Sequence, residues 1–295
     1  MFGIFSIIPE DVEKGSSGFI CTKTAKWRTT MFKACVKLII LTSITLLFGS
    51  YAGAQDSVAK PAVLHVGVAP DYPPIIFKLN GQITGAEADL AKMLAKEINR
   101  SVQFVELGWD ELIPALMEQK IDIIMSGMTI TEARKVRIDF TDHYLKSGLL
   151  TLIRTEDASK YNSVKSIKEN YVTIGVVAGT TGEAFVRKTF PLARVVTFAK
   201  ASSAPFEIRN RRIDMFINDA PSIIWLASEN EADLTGVWIL LNTEYLGWGV
   251  RRGDQQFLDQ INSVLGVWRK NGTLKQVLVK WMPYLKRSDL SGMIE

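Results

Sequence analysis

Arg134 closes the stretch Ser126-Gly-Met-Thr-Ile-Thr-Glu-Ala-Arg134, in which small and hydroxylated residues follow the apolar run Ile121 to Met125. A guanidinium is a planar, permanently charged fork that grips a carboxylate through two parallel hydrogen bonds. Thr129, five residues earlier, adds a neutral hydroxyl, and Gly127 belongs to the same turn, whose backbone N–H groups are further donors. Together they suit a small carboxylate ligand. The same nine residues also read as an ordinary helix start, with Thr129 and Thr131 as caps and Arg134 in solvent. Partners elsewhere in the chain must decide between the two.

Those partners stand on three other loops: Tyr72, Trp109, the pair Thr180 and Thr181, and Asp219. The aromatic faces of Tyr72 and Trp109 can clamp a ligand side chain. Hydroxyls and backbone N–H groups at the two turns can bind its carboxylate, and Asp219 can accept from an ammonium. The set suits an amino-acid zwitterion. Each member alone has a structural reading: core aromatics, helix caps, an N-cap aspartate.

The elements that must bring these loops together alternate. Val63 to Val68 reads as a strand, and Ala69-Pro-Asp-Tyr-Pro-Pro74 as the loop that ends it, because three prolines remove ladder donors. Asn80-Gly81 signals a tight turn, and Leu90, Met93, Leu94 and Ile98 then recur at helical spacing. Strand 102–107, helix 109–119 and strand 121–125 follow. The second half repeats the plan: strand 171–177, loop 179–182, helix 183–189, strand 194–198, helix 203–210 and strand 213–217. Asp219-Ala-Pro221 then opens a helix with proline at a permitted first-turn position. Such alternation predicts sheets covered by helices, with ligands at the carboxyl ends of the strands, where every candidate loop lies. Ser147 to Arg154 and Leu240 to Arg251 read as strands crossing between two lobes. The amphipathic helices 257–268 and 273–281 are expected to return to the first lobe. The expected partition is a leader at 1–54, a first lobe at 61–150, a second at 151–245, the return to the first at 246–287, and a tail at 288–295.

The leader has its own signature. Leu38 to Phe48 is an almost unbroken apolar run of eleven residues, preceded by Lys33 and Lys37 and followed by Ala52-Gly53-Ala54. That is well short of the roughly 20 residues a bilayer-spanning helix needs and fits a signal peptide cleaved after Ala54, with Met31 as its natural start. Both cysteines, Cys21 and Cys35, fall before that site, so an exported mature chain has no thiol chemistry, and the periplasm is its expected compartment. Six of the 35 Lys+Arg and three of the 31 Asp+Glu also fall there, leaving 29 and 28 and a net charge near +1. No basic stripe remains to bind nucleic acid.

Four motifs, Ser126 to Arg134, Gly179-Thr-Thr-Gly-Glu-Ala-Phe185, Gly85-Ala-Glu-Ala-Asp-Leu90 and Trp109-Asp-Glu-Leu-Ile-Pro-Ala-Leu116, occur in the order found in one family. From about Val63 to Tyr284 the chain resembles the periplasmic family 3 solute-binding proteins and is similar to the polar amino-acid binders of ABC importers. The resemblance implies an α/β fold of the type II periplasmic binding kind: two lobes, each a mixed, mostly parallel sheet flanked by helices, joined by two crossing hinge strands. It further implies that Arg134 holds a ligand carboxylate with help from Thr129 and Thr181, that Asp219 takes the ammonium, and that Tyr72 lies against the ligand. Relatives preferring basic amino acids often carry an aspartate where this chain has Ala69, whereas Glu87 stands near another position able to reach a ligand side chain. A monomeric carrier serving an inner-membrane ABC permease, with no metal or cofactor, is expected.

The competing expectation is an enzyme on the same fold, a cyclohexadienyl dehydratase acting on prephenate or arogenate through a carboxyl general acid. That acid lies just after the second-lobe aspartate, and here the segment reads Asp219-Ala-Pro-Ser222 with no added carboxyl. Glu183 is the least implausible substitute, although its expected job is to complement a helix N-terminus. His65 and His143, the two histidines of the sequence, are expected to be structural.

Overall fold

Apolar runs too short for helices and bounded by turn residues become the parallel strands of two five-stranded sheets. A computed structural model describes residues 62–161, 163–168 and 171–286; the expected leader and cleavage site, both cysteines and the expected tail lie outside them. The first half builds β1 (Val63–Val68), β2 (Asp71–Tyr72), β3 (Ile76–Leu79), β4 (Gln82–Thr84), α1 (Ala86–Glu97), β5 (Ser101–Glu106), α2 (Leu112–Met117), β6 (Ile123–Ile124), α3 (Glu132–Lys135), β7 (Ile138–Phe140) and β8 (Leu145–Ser147). The second continues with β9 (Leu149–Arg154), α4 (Val164–Lys168), β10 (Thr173–Val177), α5 (Thr181–Thr189), β11 (Arg194–Phe198), α6 (Ala204–Arg209), β12 (Met215–Asp219), α7 (Ala220–Glu229) and β13 (Leu234–Val237). The chain then returns through β14 (Glu244–Leu246), β15 (Gly249–Arg251), α8 (Gln255–Lys270) and α9 (Thr273–Trp281).

The sheets share one plan. The first has the order β5-β1-β6-β15-β7, with β1 parallel to β5 and β6 and with β15 antiparallel to its neighbours. The second has the order β11-β10-β12-β9-β13, with β10 parallel to β11 and β12 and with β9 antiparallel. In each, the reversed strand directly follows a member of the separate β8–β14 antiparallel pair. Each lobe is thus a mixed sheet with four strands running one way, linked to the other through that pair.

Packing follows the spacing. Leu64, Val66 and Val68 of β1 are fully buried, and α1 covers them with Leu90, Ala91 and Leu94. Helix α8 buries Phe257, Ile261 and Leu265 at four-residue intervals. Helix α9 is tied to α1, where Lys280 Nζ and Trp281 Nε1 donate to Asp89 at 2.7 and 2.8 Å. The C-terminal helices therefore pack on the first lobe.

Three expectations needed adjustment. The proline-rich loop after β1 contains β2, which pairs with β3; Asp71 and Tyr72 keep the N–H groups that the flanking prolines lack. The helix expected over 109–119 begins as a 3₁₀ turn at Trp109–Glu111 before α2. The long crossing strands are broken: Gly148 separates β8 from β9, and a Cβ there would lie 2.2 Å from the Asn242 carbonyl oxygen, so the backbones approach too closely for a side chain. Asn80-Gly81 makes the expected two-residue hairpin turn, both residues with positive φ, at 50° and 78°.

Candidate functional site

One cavity of about 800 Å³ is lined by Tyr72, Trp109, Gly127, Thr129, Arg134, Thr180, Thr181 and Asp219, so every candidate residue faces the same space. The first five stand at ends of first-sheet elements and in the β2 ribbon. The last three stand at the carboxyl ends of β10 and β12.

The Arg134 side is braced by hydrogen bonds. Thr131 caps α3 by accepting from the Arg134 N–H, which fixes the backbone without using the guanidinium. Arg134 Nη1 donates to the Thr129 carbonyl at 2.8 Å, and its Cζ lies 5.2 Å from the centre of the Trp109 ring. Trp109 Nε1 reaches across to the Gly179 carbonyl at 3.1 Å. The Gly127 N–H donates to Glu87 Oε2 at 2.7 Å, so it is not a free donor for a ligand. Gly127 serves the cavity through space instead: at φ 64°, a Cβ there would sit 2.5 Å from the Tyr72 ring. Ser126 Oγ accepts from the Ala69 N–H at 2.8 Å and holds the β1 end against the β6 end.

Glu87 is the buried centre of this brace. Its other oxygen accepts from Trp248 Nε1 at 3.1 Å, and the residue is fully excluded from solvent. Burial pushes its carboxyl up to about 8 against the pull of its hydrogen bonds. It does not line the cavity and supports the Gly127 turn from behind.

The Asp219 side relies on backbone geometry. Thr180 caps α5 by accepting from the Glu183 N–H at 3.3 Å, and Glu183 Oε2 accepts in return from the Gly179 N–H at 2.8 Å. The N–H groups of Thr181 and Gly182, at the first helical positions, lack intrahelical acceptors and are available to an anion. Asp219 occupies the N-cap position of α7 but makes no side-chain cap bond, so its carboxylate is not spent on the helix. Burial, then the nearby Glu244 carboxylate, raise Asp219 to about 7, while Tyr72 and Arg134 pull it back. An ammonium placed there would relieve that penalty.

Sequence reasoning missed Glu244. This β14 residue is 7% exposed, and its Oε2 accepts from both Thr129 Oγ1 and Thr181 Oγ1, at 2.9 and 3.0 Å. Its position in a crossing strand was the one available signal, since sequence periodicity cannot show that both threonines converge on it. Two ion pairs at the cavity lining were also missed, Lys78–Glu106 at 2.7 Å and Lys200–Asp71 at 2.9 Å. They join positions 28 and 129 residues apart.

The remaining candidates have structural partners. His65 Nδ1 lies 3.3 Å from Asp122, and the His143 ring packs edge-on against Tyr245. Glu183 is held below the usual carboxylate range by the Gly179 N–H and then by Arg187, which is unsuited to a general acid. Ser222, in the segment after Asp219 that carries no added carboxyl, accepts from Asn218 Nδ2 and is buried.

Residues 64–284 match the family model of bacterial extracellular solute-binding proteins, family 3. The chain is 31% identical over 247 residues to an arginine-binding periplasmic protein of Mannheimia haemolytica, covering 82% of this chain and 98% of that one. It is 30% identical over 259 residues to the histidine-binding periplasmic protein of Escherichia coli K12, covering 84% and 97%. Among solved structures it is similar to an ancestral amino-acid-binding protein described as a precursor of cyclohexadienyl dehydratase, with 37% identity, a TM-score of 0.70 and coverage of 75% and 95%.

Proposed function

Because this chain belongs to the bacterial extracellular solute-binding proteins of family 3, we propose that it is a carrier that captures an amino acid with a cationic side chain between its lobes. One observation carries the reading: a guanidinium, Arg134 on α3, and an aspartate released from capping duty, Asp219 at the end of β12, come from different lobes and line one cavity. They match the two charges of an amino-acid zwitterion.

Arg134, with the open N–H groups at the start of α5, holds the α-carboxylate. Asp219 takes the α-ammonium, and Tyr72 and Trp109 flank the side chain. The lining supports a cationic side chain: it holds Asp71, Glu106, Asp110, Glu111 and Asp219 against Lys78, Arg134 and Lys200. Two of those cations are already paired with lining carboxylates. The names of the arginine- and histidine-binding relatives support the same class.

Ligand shifts the population toward the closed form because only closure adds Asp219 and the α5 N-terminus to the half held by Arg134. A dissociation constant near a micromolar corresponds to roughly −8 kcal/mol, within reach of a desolvated arginine–carboxylate pair, an ammonium–carboxylate pair and aromatic packing. The protein works in the periplasm after export by its leader, acts as a monomer, passes its cargo unchanged to an ABC permease, and requires no cofactor.

Calorimetry of residues 55–295 against the common amino acids, with prephenate and arogenate included and their products assayed, tests this reading. Binding of arginine or lysine with unaltered ligand is the expected result. Absence of amino-acid binding, or release of phenylpyruvate or phenylalanine, would overturn it.

A further inference from the structure

We propose that Glu244 sets the hydrogen-bond polarity of the cleft, by taking the protons of the Thr129 and Thr181 hydroxyls so that both threonines accept from ligand N–H groups instead of donating to the ligand carboxylate. The inference rests on the amino-acid reading above and departs from the role the family resemblance implies for these two hydroxyls.

A carboxylate offers only lone pairs, whereas a threonine hydroxyl has a single proton and two lone pairs. Glu244 Oε2 receives Thr129 Oγ1 at 2.9 Å and Thr181 Oγ1 at 3.0 Å, so each hydroxyl proton is already directed at it. Its other oxygen receives Asn242 Nδ2 at 2.9 Å, which holds the carboxylate plane. Glu244 itself does not line the cavity, but both threonines do. What the threonines turn toward a ligand is therefore lone pairs, in the cavity that Asp219 also lines. Arg134 feels both acids, and its charge offsets them.

The placement makes the device dependent on closure. Glu244 belongs to the β8–β14 pair, Thr129 bridges to Leu246 beside the first sheet, and Thr181 opens α5 in the second lobe. Only when both lobes approach do the two hydroxyls meet one oxygen. The ligand carboxylate is then left to Arg134 and the backbone N–H groups of α5, and the ammonium meets three acceptors: Asp219, Thr129 and Thr181.

Glu244→Gln keeps the shape but gives the group an NH₂; Asn242, fixed by the Leu149 N–H on its Oδ1, still needs an oxygen, so the NH₂ falls on the rotatable threonine hydroxyls and turns at least one hydroxyl proton back into the cleft. The measurement is calorimetric binding of lysine and arginine, each beside its deaminated analogue, ε-aminocaproate and δ-guanidinovalerate. In the wild type the amino acid is expected to bind far better than its analogue. In Glu244→Gln that preference is expected to fall by about tenfold or more, the scale of one charge-assisted hydrogen bond. An unchanged preference overturns the proposal, whether both ligands weaken equally, as for a purely structural brace, or neither weakens. Should Glu244→Gln fail to fold, the Thr129→Val/Thr181→Val double variant answers the same question with Glu244 intact; the same fall is expected, and an unchanged preference overturns the proposal. A wild type that binds neither amino acid sinks the carrier reading instead, which keeps the two failures distinct.

Discussion

The two halves of the cleft hold their charges by different means. The first-lobe half is a side-chain network: Glu87 under the Gly127 turn, Ser126 on Ala69, and Arg134 fixed by the Thr129 carbonyl and the Trp109 face. The second-lobe half is built from backbone: a helix start with open N–H groups, and a half-buried aspartate without a cap bond. A network holds its residue in place before ligand arrives. A half-buried aspartate whose carboxyl is pushed up by desolvation and then by a second carboxylate is uncomfortable until a cation reaches it. The contrast suggests division of labour: the first lobe orients the ligand, and the second rewards closure.

The largest expected effect on binding tests the first half. Arg134→Ala should weaken binding by more than about a hundredfold, since truncating one partner of a buried charge pair costs roughly 2–5 kcal/mol; calorimetry with retained circular dichroism checks it. Asp219→Asn should cost about tenfold to a hundredfold for ligands with an α-ammonium and much less for deaminated ones. Because burial and the Glu244 carboxylate push the Asp219 carboxyl up to about 7 in this arrangement of the cleft, an ammonium finds a proton in its place at lower pH. Wild-type affinity should therefore fall as pH drops from about 8 to about 6, by up to about tenfold per unit, and in Asp219→Asn this share of the dependence should vanish. If affinity proves flat with pH in the wild type, the second half is not held as described.

Glu87→Gln sharpens the comparison through stability. With its folded-state value raised from 4.5 to about 8, the folded protein holds this proton more tightly than the unfolded chain. Its contribution is therefore fully present below about pH 4.5 and is lost as pH rises toward 8. The glutamine variant should lose roughly 1–3 kcal/mol at low pH, because its NH₂ faces a donor, and should show a flatter melting temperature between about pH 5 and about pH 8. A melting curve as pH-dependent as the wild type's would remove Glu87 from this role. Trp109→Phe deletes the bond to the Gly179 carbonyl while keeping the ring face, and should weaken binding about fivefold, the net value of one hydrogen bond. The smallest effect is expected for Lys200→Gln, since exposed ion pairs such as Lys200–Asp71 contribute roughly 0.2–1 kcal/mol; a loss as large as that of Arg134→Ala would show that the division between halves is misplaced.

Much of the fold could be read from local pattern. β1 and β11 fall on the expected residues, the Asn80-Gly81 turn forms as its dihedral demands require, and the two βαβ series appear in order. What escaped were features that depend on distant chain: β2 needs β3 as its partner, and the break at Gly148 needs the approach of Asn242. Candidate residues could be named because motif and loop position are local properties. Whether Asp219 caps a helix or serves the cleft, and whether the Gly127 N–H is free, could not be read, because the first turns on which way the side chain is held and the second on a bond to Glu87, 40 residues away.

By itself, then, the sequence determined the repeated α/β plan, the separate leader pattern and the kinds of charge available on each loop, since periodicity, turn chemistry and residue type are written along the chain. Tertiary structure alone decided which of those charges share a cavity, which are spent on internal partners, and that Glu244 on a crossing strand meets a threonine from each half. The physical reason is that hydrogen bonds and burial depend on distance in space, and residues 63 and 115 positions apart in sequence here end within 3.0 Å of one oxygen.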